Sequence, residues 1–310
     1  MPWIVWARWL QFCAVLGYAG LALFWLLRSA RDDGSLSFPV WFRKPLLTVI
    51  GAGIAATPLW LWCQTAQMSG DGLLDVNRGD LVYVLAATRS GTLALTRMTL
   101  LVAALLLGLV NEWRRPGYRF SHALIGVALL GTLAGSGHGM MDLGVAGLVH
   151  LSGDMLHLLA AAIWFGALIA LLSALGVATR TRSAADVTEA HRVLNGFSAI
   201  GIAVVAVLVL GGLINSWFLV GPYRVLQLYQ SSYGRVLGIK LLLFAAMLVA
   251  ATCNRFWLLP RLDRAVAAAR DPASALAALR HSLRVETLLA LLVLLAVGEL
   301  QYLTPPVGGG

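Results

Sequence analysis

The sequence predicts an all-α, polytopic membrane helical bundle of eight spans. Of the 310 residues, 59% are hydrophobic and 12% are charged, against about 45–50% and about 25% in soluble domains. The mean hydropathy is +0.81. Several apolar runs reach the roughly 20 residues that cross a bilayer core, and no short alternating strands of a barrel appear between them.

The spans are expected at about 3–27, 45–66, 92–112, 120–136, 150–176, 193–220, 234–258 and 282–303. The first, Trp3 to Leu27, is longer than the apolar core of a signal peptide and has no basic residue ahead of it, so it reads as a span. The loops then sort by charge. Arg28, Arg31, Arg43 and Lys44 fall in the first loop, Arg114, Arg115 and Arg119 in the third, Arg180, Arg182 and Arg192 in the fifth, and Arg255, Arg261, Arg264, Arg270 and Arg280 in the seventh. The other side carries Arg78, Arg89, Arg224 and Arg235, with Asp71, Asp75 and Asp80 in its longest loop. By the positive-inside rule both termini lie outside, on the periplasmic face of a Gram-negative inner membrane. The net charge of +9 therefore reports orientation in the lipid bilayer and no nucleic acid partner.

The chain reads as one integral membrane domain, 1–310, with possible halves at 1–119 and 120–310. Ser90–Asn111 echoes Tyr233–Asn254 without gaps, pairing Gly91 with Gly234, Arg97 with Lys240 and Asn111 with Asn254. Two parallel four-helix halves would follow, a repeat of the kind transporters use. The Ala-rich stretch Ala265–Leu279 is expected as an extra cytoplasmic helix.

The functional signal lies in Gly137–Leu168, GHGMMDLGVAGLVHLSGDMLHLLAAAIWFGAL. His138, Met140, Met141, Asp142, His150, Asp154, Met155 and His157 gather here at the mouth of an apolar span. His150, Asp154 and His157 stand at i, i+4 and i+7, one helix face, which continues to Ala161, Trp164 and Leu168. Neutral imidazole suits copper and thioether favours Cu(I). The candidate metal residues are His138, His150, His157, Met140, Met141 and Asp154, with the carboxylate able to orient a ligating histidine.

Elsewhere the expectations are plainer. Cys13, Cys63 and Cys253 lie in apolar segments and pack as small hydrophobes, with no disulfide framework. Arg97 and Lys240 are expected to snorkel outward, or else to pair with Glu299 or Asp154. Glu286 is expected to pair with Arg284 or a loop arginine. His122, His191 and His281 are expected in solvated cytoplasmic loops. Met68, Met98 and Met247 are read as packing, and the tryptophans near span ends as an aromatic belt.

Several segments resemble the CopD-type copper resistance proteins. They are Gly137-His138, His157–Leu168, Asn195–Asn215, the Tyr233-Gly234-Arg235…Lys240…Asn254-Arg255…Pro260-Arg261-Leu262 pattern and Arg284–Glu286. The likeness is strong over about 120–303 and topological before it. It implies an eight-span protein that moves copper from periplasm toward cytoplasm, often with a periplasmic CopC-type copper carrier, and it carries copper handling onto His138 and His157. The GHGMMD loop is richer in methionine than the family pattern. No nucleotide-binding loop is present, so passage would run on a gradient, and no enzymatic activity is expected. Two alternatives stand beside the copper importer. One is a haem-binding membrane oxidoreductase, which needs axial histidines on facing helices. The other is a non-transporting sensor or assembly factor that docks a copper chaperone.

Overall fold

A computed structural model describes residues 2–29, 40–110, 115–136, 144–221, 228, 230–268 and 271–304. Among them no strand occurs, and the helices are α1 (Trp3–Ser29), α2 (Val40–Ser69), α3 (Arg78–Ala87), α4 (Arg89–Leu109), α5 (Pro116–Ala134), α6 (Gly144–Thr181), α7 (Ala184–Leu219), α8 (Ser232–Cys253), α9 (Leu259–Ala267) and α10 (Ala273–Leu300). A π-helical turn, Asn254–Leu258, joins α8 to α9.

Six helices are long and apolar enough to cross a membrane: α1, α2, α4, α6, α7 and the α8–α9 rod. The other two expected spans, α5 and α10, lie in the bundle beside them. Both are diluted by polar residues, Arg119 and His122 in α5 and Arg280, Arg284, Glu286 and Glu299 in α10. The start of α1 and the end of α10 share one end of the bundle, where Gly298 meets Val5. That end is called the terminal face here, and the other the opposite face. Large apolar side chains such as Leu241, Leu242 and Val249 point outward from α8, as a lipid-facing surface requires.

The first helix is the axis of the bundle. It is buried along most of its length because small residues let its neighbours approach. A Cβ placed on Gly20 would lie 1.8 Å from the Ala162 carbonyl oxygen of α6, and one on Gly126 of α5 would lie 2.9 Å from Ala19. Polar ties fix the register. Trp9 Nε1 donates to the Leu291 carbonyl of α10 (2.9 Å), and the Tyr18 hydroxyl bonds His122 Nδ1 (2.9 Å). At the opposite face Arg28 pairs with Glu189 at 2.7 Å.

Four expectations need correction. His122 is 2% exposed and held by Tyr18, so it belongs to the core and not to a solvated loop. Arg97 does not snorkel. It is fully buried, donates from Nε and Nη2 to the hydroxyl and carbonyl of Thr132 (3.0 and 3.1 Å), and lies over the Trp60 ring. The short Thr132 hydroxyl and the ring face make a local solution available that reaching the interface does not improve. Glu286 accepts from Trp164 and Asn254 instead of an arginine. The Ala265–Leu279 stretch forms no separate helix: it is divided between the end of α9 and the start of α10, with Pro272 at the N-cap of α10.

Candidate functional site

The α6–α7 pair builds the wall of the candidate site. The two helices cross where Gly153 faces Ile214 and Gly211 faces His157. A Cβ on Gly211 would lie 2.8 Å from His157 Cβ and 3.0 Å from the Gly153 carbonyl oxygen. That close approach lets His157 Nδ1 reach the Leu208 carbonyl of α7 at 2.9 Å. A carbonyl only accepts, so Nδ1 carries the proton and the neutral ring keeps its lone pair on Nε2. Metal-binding histidines are commonly oriented through such a bond on the second ring nitrogen.

Two turns toward the terminal face, the His150 ring stacks on Phe218 with centroids 4.7 Å apart and planes within 5°. Between the two histidines, Asp154 accepts from Asn215 Nδ2 at 3.1 Å. All three α6 side chains line one cavity of about 390 Å³, whose far wall includes Tyr233, Lys240 and Met247 of α8. Lys240 and Asp154 line it together. Arg97, at the equivalent place in α4, is instead held by Thr132.

The predicted stripe is therefore real as a cavity wall. Among the described residues no three His, Cys, Asp or Glu side chains come together as one metal-binding group, so the wall offers donors in succession along about 10 Å of helix. His138, Met140 and Met141 lie outside the described residues. Among the described residues, the histidines lining the cavity, His150 and His157, both belong to α6. Met68 and Cys63 do not line it; Met247 does.

Trp164 ends the stripe and lines a second cavity of about 270 Å³, reaching toward the opposite face. Its indole packs edge-on to Phe244 of α8, centroids 6.0 Å apart. Its Nε1 donates to Glu286 Oε1 at 2.7 Å, and Asn254 Nδ2 donates to Oε2 at 2.8 Å. Asn254 opens the π turn, a widening often found at functional positions. Glu286 is 2% exposed, so it faces the protein interior, as buried carboxylates in membranes do. Sequence reasoning missed Asn215, Asn254 and the Trp164–Glu286 bond. The available signal was an amide or acid inside an otherwise apolar run.

The start of α8 and the start of α4 share one local design. Thr88 and Ser231 cap the two helices through Gly91 N and Gly234 N, at 3.2 and 2.9 Å. Both glycines are needed for close approach, since a Cβ would strike the carbonyls of Val84 and Leu85 in one case (2.3 and 2.2 Å) and of Leu228 in the other (1.9 Å).

Comparison with known proteins agrees with this architecture. Residues 1–148 match the family described as copper resistance protein D-like, N-terminal domain, and residues 191–300 match copper resistance protein D. Copper resistance protein D of Pseudomonas syringae pv. tomato is 34% identical over 296 residues, covering 94% of this chain and 93% of that protein. Inner membrane protein YebZ of Escherichia coli K12 is 28% identical over 262 residues, covering 84% and 85%. No solved structure matches. With both ends of the chain matched and most of its length aligned at this identity, the protein belongs to the copper resistance protein D family.

Proposed function

We propose that this protein is a multi-pass inner-membrane conduit, and not an enzyme, that takes copper from the periplasm toward the cytoplasm. The observation that carries the reading is the α6 wall. His150, Asp154 and His157 line a cavity at the terminal face, and Trp164 lines both it and a second cavity whose lining includes Glu286. Copper is the cargo. Its capture falls to His138, Met140 and Met141 of the preceding segment with His150, and it moves inward to His157 Nε2. Neutral imidazole and thioether hold Cu(I) or Cu(II) without demanding a rigid sphere. Asp154, balanced by Lys240, keeps the cavity near neutrality, so a cation entering meets no large net repulsion.

The charge bias supports placing the terminal face in the periplasm, because Arg28, Arg180, Arg261, Arg264 and Arg280 sit toward the opposite face. A periplasmic carrier of the CopC type would then meet the terminal face. The two halves, 1–119 and 120–310, form the parallel repeat, with the route through the second. The test is uptake of radiolabelled copper into proteoliposomes holding the full chain. Wild type is expected to fill vesicles and His157→Ala to lose most of that rate. Equal filling by both would reject the route, and no filling by either would favour a docking or sensing role.

A further inference from the structure

A second pocket, of different chemistry, opens at the same face. It encloses about 260 Å³ between α1, α2, α4 and α5 and shares Phe12, Leu133 and Gln301 with the copper-side cavity. Its polar lining is Arg8, Gln11, Gln64, Arg89, Ser90, Ser136 and Gln301, with no carboxylate among the described lining residues. Glu299, two residues before Gln301, does not line it.

The donors there are incompletely used. Gln11 is 3% exposed, and its Nε2 is buried without a hydrogen-bond partner. Arg8 Nη1 is likewise buried and unpartnered, while Nη2 reaches Gln64 Oε1 only at 3.5 Å. Arg89 opens α4, and its Nη2 lies 3.8 Å from where a Cβ on Gly135 would stand, so its guanidinium reaches across to the end of α5. Arg89 and Ser90 at the start of α4 line the pocket, and a helix N-terminus favours negative charge. One guanidinium nitrogen of Arg8 and the buried amide N–H of Gln11 are thus left without a partner, with the exposed Arg89 beside them at the mouth and no acid among the described lining residues, an arrangement that favours an anionic ligand.

We propose that this pocket binds an oxyanion, a carboxylate or phosphate group, held by Arg8, Gln11 and Arg89. Arg8 supplies the buried charge, Gln11 the neutral donor and Arg89 the closing contact at the mouth. Arg8, Gln11 and Arg89 do not line the His150–His157 cavity, so the proposal stands or falls independently of copper transport.

The test uses the copper-free full chain purified in a phosphate-free maltoside detergent. Thermal unfolding, followed by tryptophan fluorescence, is titrated with acetate and with inorganic phosphate, against chloride at equal ionic strength. A parallel arm adds short-chain phosphatidylglycerol. Wild type is expected to show a saturable rise in unfolding temperature with an oxyanion over chloride. Arg8→Gln removes a charged donor and is expected to weaken apparent binding by about tenfold or more. Gln11→Glu places a carboxylate in the pocket and is expected to fold normally while losing the response, which separates binding from general instability. A response to free ions identifies a soluble ligand, and a response to the lipid alone identifies a headgroup; either supports the site. No saturable shift with any of the three, or equal shifts in wild type and Gln11→Glu, would overturn it.

Discussion

Replacing Gly211 by alanine tests whether the α6–α7 contact sets the chemistry of His157. The new Cβ would lie 2.8 Å from His157 Cβ, whereas carbon atoms settle at about 3.5–4.0 Å. The helix α7 must retreat by roughly 0.7–1.2 Å to restore that spacing. The His157 Nδ1–Leu208 bond, now 2.9 Å, would stretch to about 3.6–4.1 Å and cease to be a hydrogen bond. Overpacking costs about 1–3 kcal/mol, offset by the roughly 0.8–1.0 kcal/mol that alanine gains over glycine in a helix. The net loss of stability is thus about 0–2 kcal/mol, small enough for the variant to fold. Losing a bond that orients a metal-binding histidine typically lowers metal affinity by about 10–100-fold. The assay is competition for Cu(I) against a chromogenic chelator on purified protein, with thermal unfolding in parallel. Gly212→Ala is the control, because its Cβ would meet His157 Cε1 and Nδ1 at an ordinary 3.5 and 3.6 Å. If Gly211→Ala binds copper as wild type does while His157→Ala does not, the Leu208 carbonyl has no part in preparing the ring.

The axis and the partition give two further expectations. Gly20→Val drives side-chain atoms into the Ala162 carbonyl at 1.8 Å, so destabilisation at or beyond the top of about 1–3 kcal/mol is expected; Gly51→Ala, with nothing within 4 Å, should unfold like wild type, and equal midpoints for all three would refute the close approach. Trp164→Phe keeps the ring but removes the donor to Glu286, costing about 1–3 kcal/mol and speeding copper entry into proteoliposomes. Unchanged unfolding together with unchanged uptake would show that the indole neither holds the carboxylate nor restricts passage.

The membrane helices were legible because hydrocarbon leaves one signal, a long apolar run, and each expected span falls on a helix, six of them long and apolar enough to cross a membrane. Helix ends beyond the lipid were less legible. The spans expected at 150–176 and 193–220 extend to Gly144–Thr181 and Ala184–Leu219, since Arg180, Asp186, Glu189 and Arg192 carry no hydropathy signal yet continue the helices in water under the Ser183 cap. Within the site, the i, i+4, i+7 spacing correctly put His150, Asp154 and His157 on one wall. It could not show that Phe218 covers His150, or that Leu208 selects the nitrogen on His157, because those partners lie 51 or more positions away. Arg97 and Lys240 look alike in sequence, and only their neighbours separate them: Thr132 and Trp60 enclose one, and an open cavity faces the other.

Between the two chambers of the second half stands one indole, braced by Phe244 and by Glu286. Trp164 lines both compartments, so a change in its rotamer alters the two together. Side-chain reorientation is far faster than collective helix motion, so on the proposed route the same few bonds would set both the leakage of small ions and the pace of copper passage. Strengthening that brace would tighten the membrane's seal and slow delivery together.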